Sequence, residues 1–250
     1  MTKELTKAQK IRSIIAASSG NLVEWFDFYI YAFTAVYFAH NFSNSDNPTI
    51  QQISAFGVFA AGFFMRPIGS WLFGSLADKI GRKSSMVFSV ILMAVGSFLI
   101  AALPSKESVG DLAIILLLIA RLIQGLSVGG EYGIAATYLS ELATKGRRGF
   151  YSSFQYVTLI GGQLLAVASI SIMLLFFSEQ EMNDYAWRIL FVVGGLLALG
   201  SLFVRSVMSE SATELHKHED RGSFKALFST SWKPFLIIVG ITAEAKIEQK

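Results

Sequence analysis

Gly74-Ser75-Leu76-Ala77-Asp78-Lys79-Ile80-Gly81-Arg82-Lys83-Ser84-Ser85-Met86 joins two long apolar runs. The stretch is short, glycine-bearing and cationic through Lys79, Arg82 and Lys83. Hydrocarbon offers no solvation to such a turn, so it belongs at a water interface. Its positive charge assigns that interface to the cytoplasm. Asp78 is the lone acid in the turn and is expected to pair with an arginine or to cap a helix start. The apolar runs on either side are then two arms of a membrane-crossing hairpin.

Composition extends that reading to the whole chain. Of 250 residues, 53% are hydrophobic and 16% charged, against about 25% charged in soluble domains. The chain reads as an all-α polytopic membrane protein. It has no cysteine, which excludes disulfides, thiol catalysis and thiolate metal sites. His40, His216 and His218 lie outside the apolar runs, so no metal is expected. No cofactor loop is present and none is expected to be needed. The spans hold no Ser/His pair, HExxH or paired-aspartate motif, so an enzyme is not expected. The net charge of +3 lies in alternate loops, as membrane topology demands, and calls for no nucleic acid. The first apolar run is a full span rather than the short apolar core of a cleavable signal.

Outward from the quoted turn, the chain divides into a cytoplasmic head (1–12), a six-helix membrane bundle (13–207), a cytoplasmic linker (208–232) and an aborted seventh helix with a charged tail (233–250). The expected spans are 13–39, 53–76, 85–103, 112–139, 150–177 and 187–207. Each is near or above the ~20 residues that cross ~30 Å of hydrocarbon. The head, the Lys79–Lys83 turn, the Lys145–Arg148 turn and the segment after span 6 are rich in Lys and Arg. The other side holds only Lys106 and Arg188. Both ends of the six-span unit are therefore expected in the cytoplasm.

The pattern G-x-L-a-D-r-x-G-R-[RK], carried by Gly74, Asp78, Gly81 and Arg82, resembles the loop between helices 2 and 3 of major facilitator superfamily transporters. Three further stretches resemble the metabolite:proton symporter family within it. They are Gly20-Asn21-Leu22-Val23-Glu24-Trp25-Phe26-Asp27-Phe28-Tyr29, Phe63-Phe64-Met65-Arg66-Pro67-Ile68-Gly69, and the run from Arg121 to Gly133. The resemblance implies two six-helix halves, of which this chain supplies the first and stops within helix 7. It implies proton-coupled symport of a small carboxylate across the cytoplasmic membrane by rocking about a midplane site. The stretch from Gln155 to Ala166 most resembles the dicarboxylate carriers of that family, which implies 2-oxoglutarate as cargo. Proline or betaine, citrate and shikimate are alternative cargoes. A non-transporting remnant, or a half that works only with a missing C-terminal half or a second copy, is another reading. Alone, the chain is expected to be inactive. Protons, the carboxylate and membrane lipid are the expected partners. Asp78 and Arg82, with Gly74 and Gly81, fall in the cytoplasmic gate by this resemblance.

Ionisable groups inside spans are costly and usually face a cavity or a partner. Glu24 and Asp27 lie three residues apart on one side of span 1, with Asn21 and Tyr31 extending that side. Two carboxylates this close do not both ionise readily in a low-dielectric site, so one can carry the symported proton. A structural carboxylate serving a neighbouring arginine is an equal alternative. In span 4, Arg121, Gln124, Glu131 and Tyr132 share an arc. Arg121 is expected opposite Asp27, and Glu131 nearer the cytoplasmic gate. Gly125, Gly129 and Gly133 recur every fourth residue and form a bare ridge for close helix packing. Arg66, before Pro67, is expected to bond the carbonyl that the proline frees, or an acid, with contact to substrate as the less favoured alternative. Arg188 reads either as a partner of Glu181 or Asp184 or as an anion-attracting group near the entrance. Tyr156 and Gln163 in span 5 are expected at the cavity. Trp25 and Trp187 read as interface anchors, and Trp71 as packing.

Overall fold

The computed structural model describes residues 7–143 and 146–206. The expected linker at 208–232 and aborted helix at 233–250 lie outside the described residues. Six long helices dominate: α1 Lys7–Phe38, α2 Pro48–Ile80, α3 Arg82–Ala102, α4 Leu112–Leu142, α5 Arg148–Phe176 and α6 Trp187–Ser206. A single turn, Lys106–Val109, lies between α3 and α4, and a π-helical turn, Met182–Ala186, leads into α6.

The helices run past several of the apolar stretches that announce them. α1 starts by Lys7, within the expected polar head. α2 starts at Pro48, where the Asn47 side chain accepts from Thr49 N at 2.9 Å. A polar N-cap followed by proline at the first helical position is a strong start signal that apolarity alone does not reveal. Among the described residues, five segments are long and apolar enough to cross a membrane: α2 to α5, and Glu179–Arg205, which takes in α6 up to its last residue. α1 falls below that composition although its 32 residues are ample in length. Its polar residues point inward, with Asn21, Glu24 and Asp27 at most 3% exposed.

α2 packs mainly on α4, α1 on α5 and α6, and α3 on α4 and α6. One apolar cluster, including Phe26, Tyr31, Phe38, Phe42, Trp187 and Phe191, fills the His40 end of the bundle. A second, including Phe73, Met86, Tyr138 and Leu139, fills the Gly81 end. The outer surface is apolar, with Phe64, Leu175 and Phe203 79–82% exposed, as suits a lipid-facing bundle and not a water-soluble one.

α2 and α3 are joined by one residue. Gly81 has φ +93°, a conformation that disfavours any residue with a Cβ. The quoted turn is thus the ends of two helices rather than a loop. Asp78 lies exposed within α2, makes no ion pair among the described residues, and does not cap α3, whose N-terminus has no side-chain cap. The one-residue junction leaves no free segment for a cap.

Other expectations are also corrected. Trp187 is fully buried among Phe38, Phe42 and Phe191 instead of anchoring an interface. A Cβ at Gly125 would collide with the Gly62 backbone, and one at Gly129 with the Arg66 carbonyl. At Gly133 it would meet nothing within 4 Å, so the close approach of α4 to α2 ends one turn earlier than the glycine spacing suggests.

Candidate functional site

The buried ionisable residues gather in two groups. The first is centred on Asp27 of α1. Ser97 of α3 donates to Asp27 Oδ1 at 2.5 Å, and Gln124 Nε2 of α4 donates to Oδ2 at 2.5 Å. Gln124 Oε1 accepts from Arg121 Nη1 at 2.5 Å, one turn back on α4. Arg121 Nη1 stands 3.9 Å from Asp27 Oδ2, and both side chains are 5% exposed. The carboxylate is therefore held chiefly by neutral donors, with the guanidinium loosely beside it. Tyr31, Phe59 and Phe28 present rings to Arg121 Cζ at 4.3, 4.9 and 5.9 Å. Asp27, Arg66, Arg121 and Gln124 line one cleft, walled by Phe28, Phe59 and Phe63.

The second group joins α4 to α6. Arg205 Nη1 donates to Glu131 Oε2 at 3.0 Å and to Met86 O at 2.8 Å, and Arg205 Nη2 pairs with Glu131 Oε1. Ser89 adds a 2.9 Å bond to Glu131 Oε2. The pair lies against Gly20, where a Cβ would overlap the guanidinium. Glu24, one turn along α1 from Gly20, is 1% exposed, and neither of its oxygens has a hydrogen-bond partner among the described residues. Glu131, Arg66, Arg205 and Asp27 act on its charge through space. Glu24 and Asp27 thus face different surroundings despite sharing one side of α1.

The remaining expected site residues disperse. Asn21 Nδ2 donates to Thr158 Oγ1 at 2.6 Å and Gln155 O at 3.1 Å, tying α1 to α5. The Tyr31 hydroxyl donates to Ala55 O at 3.0 Å and so ties α1 to α2. Tyr132 and Tyr156 are 41% and 67% exposed, and neither they nor Gln163 line the Asp27 cleft. Arg188 Nη1 donates to Ala101 O at 2.9 Å and Leu103 O at 2.6 Å. It satisfies the end of α3, where carbonyls lack helical partners, and pairs with neither expected acid. Glu181 instead closes a capping box with Ser178.

Arg82 forms an ion pair with Glu141 at the end of α4. Glu141, Ser97 and Arg205 were not legible as site residues. Glu141 borders a basic turn, a lone serine gives no hydropathy signal, and Arg205 ends an apolar run where it reads as a loop charge.

A sequence profile of the family described as "Sugar (and other) transporter" matches residues 13–238, most of the chain. The chain belongs to that family, within the major facilitator superfamily. It is similar to the alpha-ketoglutarate permease of Escherichia coli K12, with 51% identity over 96% of this chain and 55% of the relative. It is 39% identical to a putative proline/betaine transporter of Staphylococcus haemolyticus over 80% of this chain and 43% of the relative. It is 34% identical to a citrate-proton symporter of Klebsiella pneumoniae over 92% and 52% respectively. The fold matches that of the proton:xylose symporter XylE, with TM-score 0.75 and 21% identity over 83% of this chain and 46% of that one. The chain spans about half the length of the curated relatives it matches. Its six long helices are the N-terminal half of a major facilitator fold, and the chain is a multi-pass membrane protein of a transporter family.

Proposed function

We propose that this chain forms one wall of a carrier that moves a dicarboxylate, 2-oxoglutarate, inward with protons. The observation that supports this reading is the Asp27–Gln124–Arg121 network beneath an aromatic cleft. Arg121 is the substrate-facing cation, and its Nε has no hydrogen-bond partner among the described residues. A carboxylate there would gain a charge-assisted donor that the resting network does not use. Asp27 or Glu24 carries the proton, since a buried carboxylate beside a cation that substrate can engage links the two bindings. The head and the Gly81 end face the cytoplasm, and Arg82 with Glu141 belongs to the gate on that side.

Two relatives are named for carboxylate cargoes, alpha-ketoglutarate and citrate. Betaine, suggested by another relative, would seek aromatic faces for its quaternary ammonium. The Phe28, Phe59 and Phe63 rings already carry guanidinium groups. This favours an anion over a zwitterion.

The test uses a completed carrier, in which this chain is followed by the second half of the E. coli permease, purified into proteoliposomes. Counterflow is measured with labelled 2-oxoglutarate, citrate, shikimate, proline and betaine. Preferential exchange of 2-oxoglutarate is expected. Exchange of proline or betaine without 2-oxoglutarate would overturn the proposal.

A further inference from the structure

Arg66 lies in α2, in a segment flanked by apolar residues and followed by Pro67. An arginine there should find a carbonyl or an acid. Among the described residues it finds neither. Its guanidinium makes no hydrogen bond and no ion pair, and is held by ring faces alone. Arg66 Cζ is 4.3 Å from the Phe63 ring centroid, 4.8 Å from Phe28 and 5.5 Å from Trp25. Glu24 acts on its charge through space without bonding to it.

A ring face attracts the cation but accepts none of its five N–H donors in an ordinary hydrogen bond. Arg66 therefore stands in a fixed place with its donors uncommitted. Arg121 is only partly committed, with Nη1 given to Gln124 and 3.9 Å from Asp27 Oδ2, and with Nε unbonded. Both guanidinium groups approach the same Phe28 ring, so their central carbons are no farther apart than the sum of 4.8 and 5.9 Å. Both line the same cleft. The acid of the cleft, Asp27, is hydrogen-bonded to Ser97 and Gln124 and stands 3.9 Å from Arg121, so two like charges with open donors remain as a site for an anion with two negative ends.

We propose that Arg66 is the second carboxylate-binding residue of the carrier, holding the distal carboxylate of a dicarboxylate whose other end meets Arg121. This rests on the dicarboxylate reading above and adds to it a source of selectivity. A monocarboxylate satisfies one guanidinium and leaves the other uncommitted. A diacid satisfies both, and its two charges offset the repulsion between them. In the empty cleft the rings keep Arg66 in position, which lowers the ordering cost of binding.

The experiment compares counterflow of 2-oxoglutarate with that of 2-oxobutyrate, which lacks the distal carboxylate, in the completed carrier. Arg66→Ala is expected to raise KM for 2-oxoglutarate by roughly tenfold or more, the scale of one lost charge-assisted contact. It should leave KM for 2-oxobutyrate unchanged. Arg66→Lys should fall between, because an ammonium restores charge but not the bidentate fork. Arg66→Cys should behave like alanine. Attaching an aminoethyl group to that cysteine should restore much of the diacid preference, and a sulfonatoethyl group should not. The same carrier without that cysteine is the control. A residue that only supports packing would move both substrates together and would not respond to the sign of the attached charge. Equal loss for both substrates, or no loss, would overturn the role of Arg66 while leaving diacid transport standing. Absence of diacid exchange in the unaltered carrier would overturn the underlying function instead.

Discussion

Arg205 of α6 and Glu131 of α4 form an ion pair in which the side chains are 0% and 1% exposed. Ser89 and the Met86 carbonyl complete the shell around it. The pair binds α4 and α6 to α3 and rests on the bare backbone of Gly20. A buried pair is weak evidence for net stabilisation, but losing one member leaves an uncompensated charge. Arg205→Met should therefore destabilise the bundle by about 3–5 kcal/mol. Arg205→Met combined with Glu131→Leu should recover most of that loss. Thermal unfolding of the purified chain in detergent checks both, and a double variant no more stable than the single would contradict this role.

The contact between α4 and α2 makes a position-specific prediction. Gly129→Ala should cost ~1–3 kcal/mol, because its Cβ would meet the rigid Arg66 backbone rather than a movable side chain. Gly133→Ala should stay within about 0.5 kcal/mol of the parent. The same unfolding measurement decides. Equal effects at the two positions would mean that the helices do not approach as described.

Arg82 and Glu141 are partly exposed, at 21% and 30%, so their pairing should add little stability, ~0.2–1 kcal/mol. Its geometry is testable in a chain without native cysteine. Arg82→Cys with Glu141→Cys should cross-link with a short bifunctional reagent, whereas Asp78→Cys with Glu141→Cys should not. A reversed pattern would place Glu141 beside Asp78, a like charge, and would contradict its pairing with Arg82.

The fold was largely legible because membrane helices advertise themselves through length and apolarity, and because the 74–86 motif is specific. The cleft was legible in part. Asp27, Arg121 and Gln124 stand out as costly residues in apolar runs, and helical spacing puts the two α4 residues on one side. Of their arrangement, the facing of Arg121 and Asp27 was legible, and the rest was not. Ser97 contributes a single hydroxyl, and which acid takes which arginine depends on helix rotation, which no spacing within one helix records. Glu131 thus meets Arg205, a cation at the end of span 6 that the sequence counts with the basic segment beyond it. Arg188 serves carbonyls of α3 because the chain returns it to that helix end, which neighbouring acids in sequence do not disclose.

Topology gives a further prediction. Asp46→Cys and Glu107→Cys, at the His40 end, should react with an impermeant maleimide added to intact cells. Lys79→Cys, at the Gly81 end, should react only after the membrane is opened. The positive charge gathered at the Gly81 end is the reason this orientation is expected. Labelling of Lys79→Cys alone in intact cells would invert it.

Proton coupling through the buried acids of α1 is tested most directly by separating exchange from accumulation. In proteoliposomes containing the completed carrier, an inward proton gradient should drive accumulation of labelled 2-oxoglutarate above its external level. Asp27→Asn and Glu24→Gln are then compared, each with and without the gradient. At least one should lose gradient-driven accumulation while still exchanging preloaded 2-oxoglutarate. Full accumulation by both variants, or by the parent with no gradient present, would contradict proton carriage by these residues.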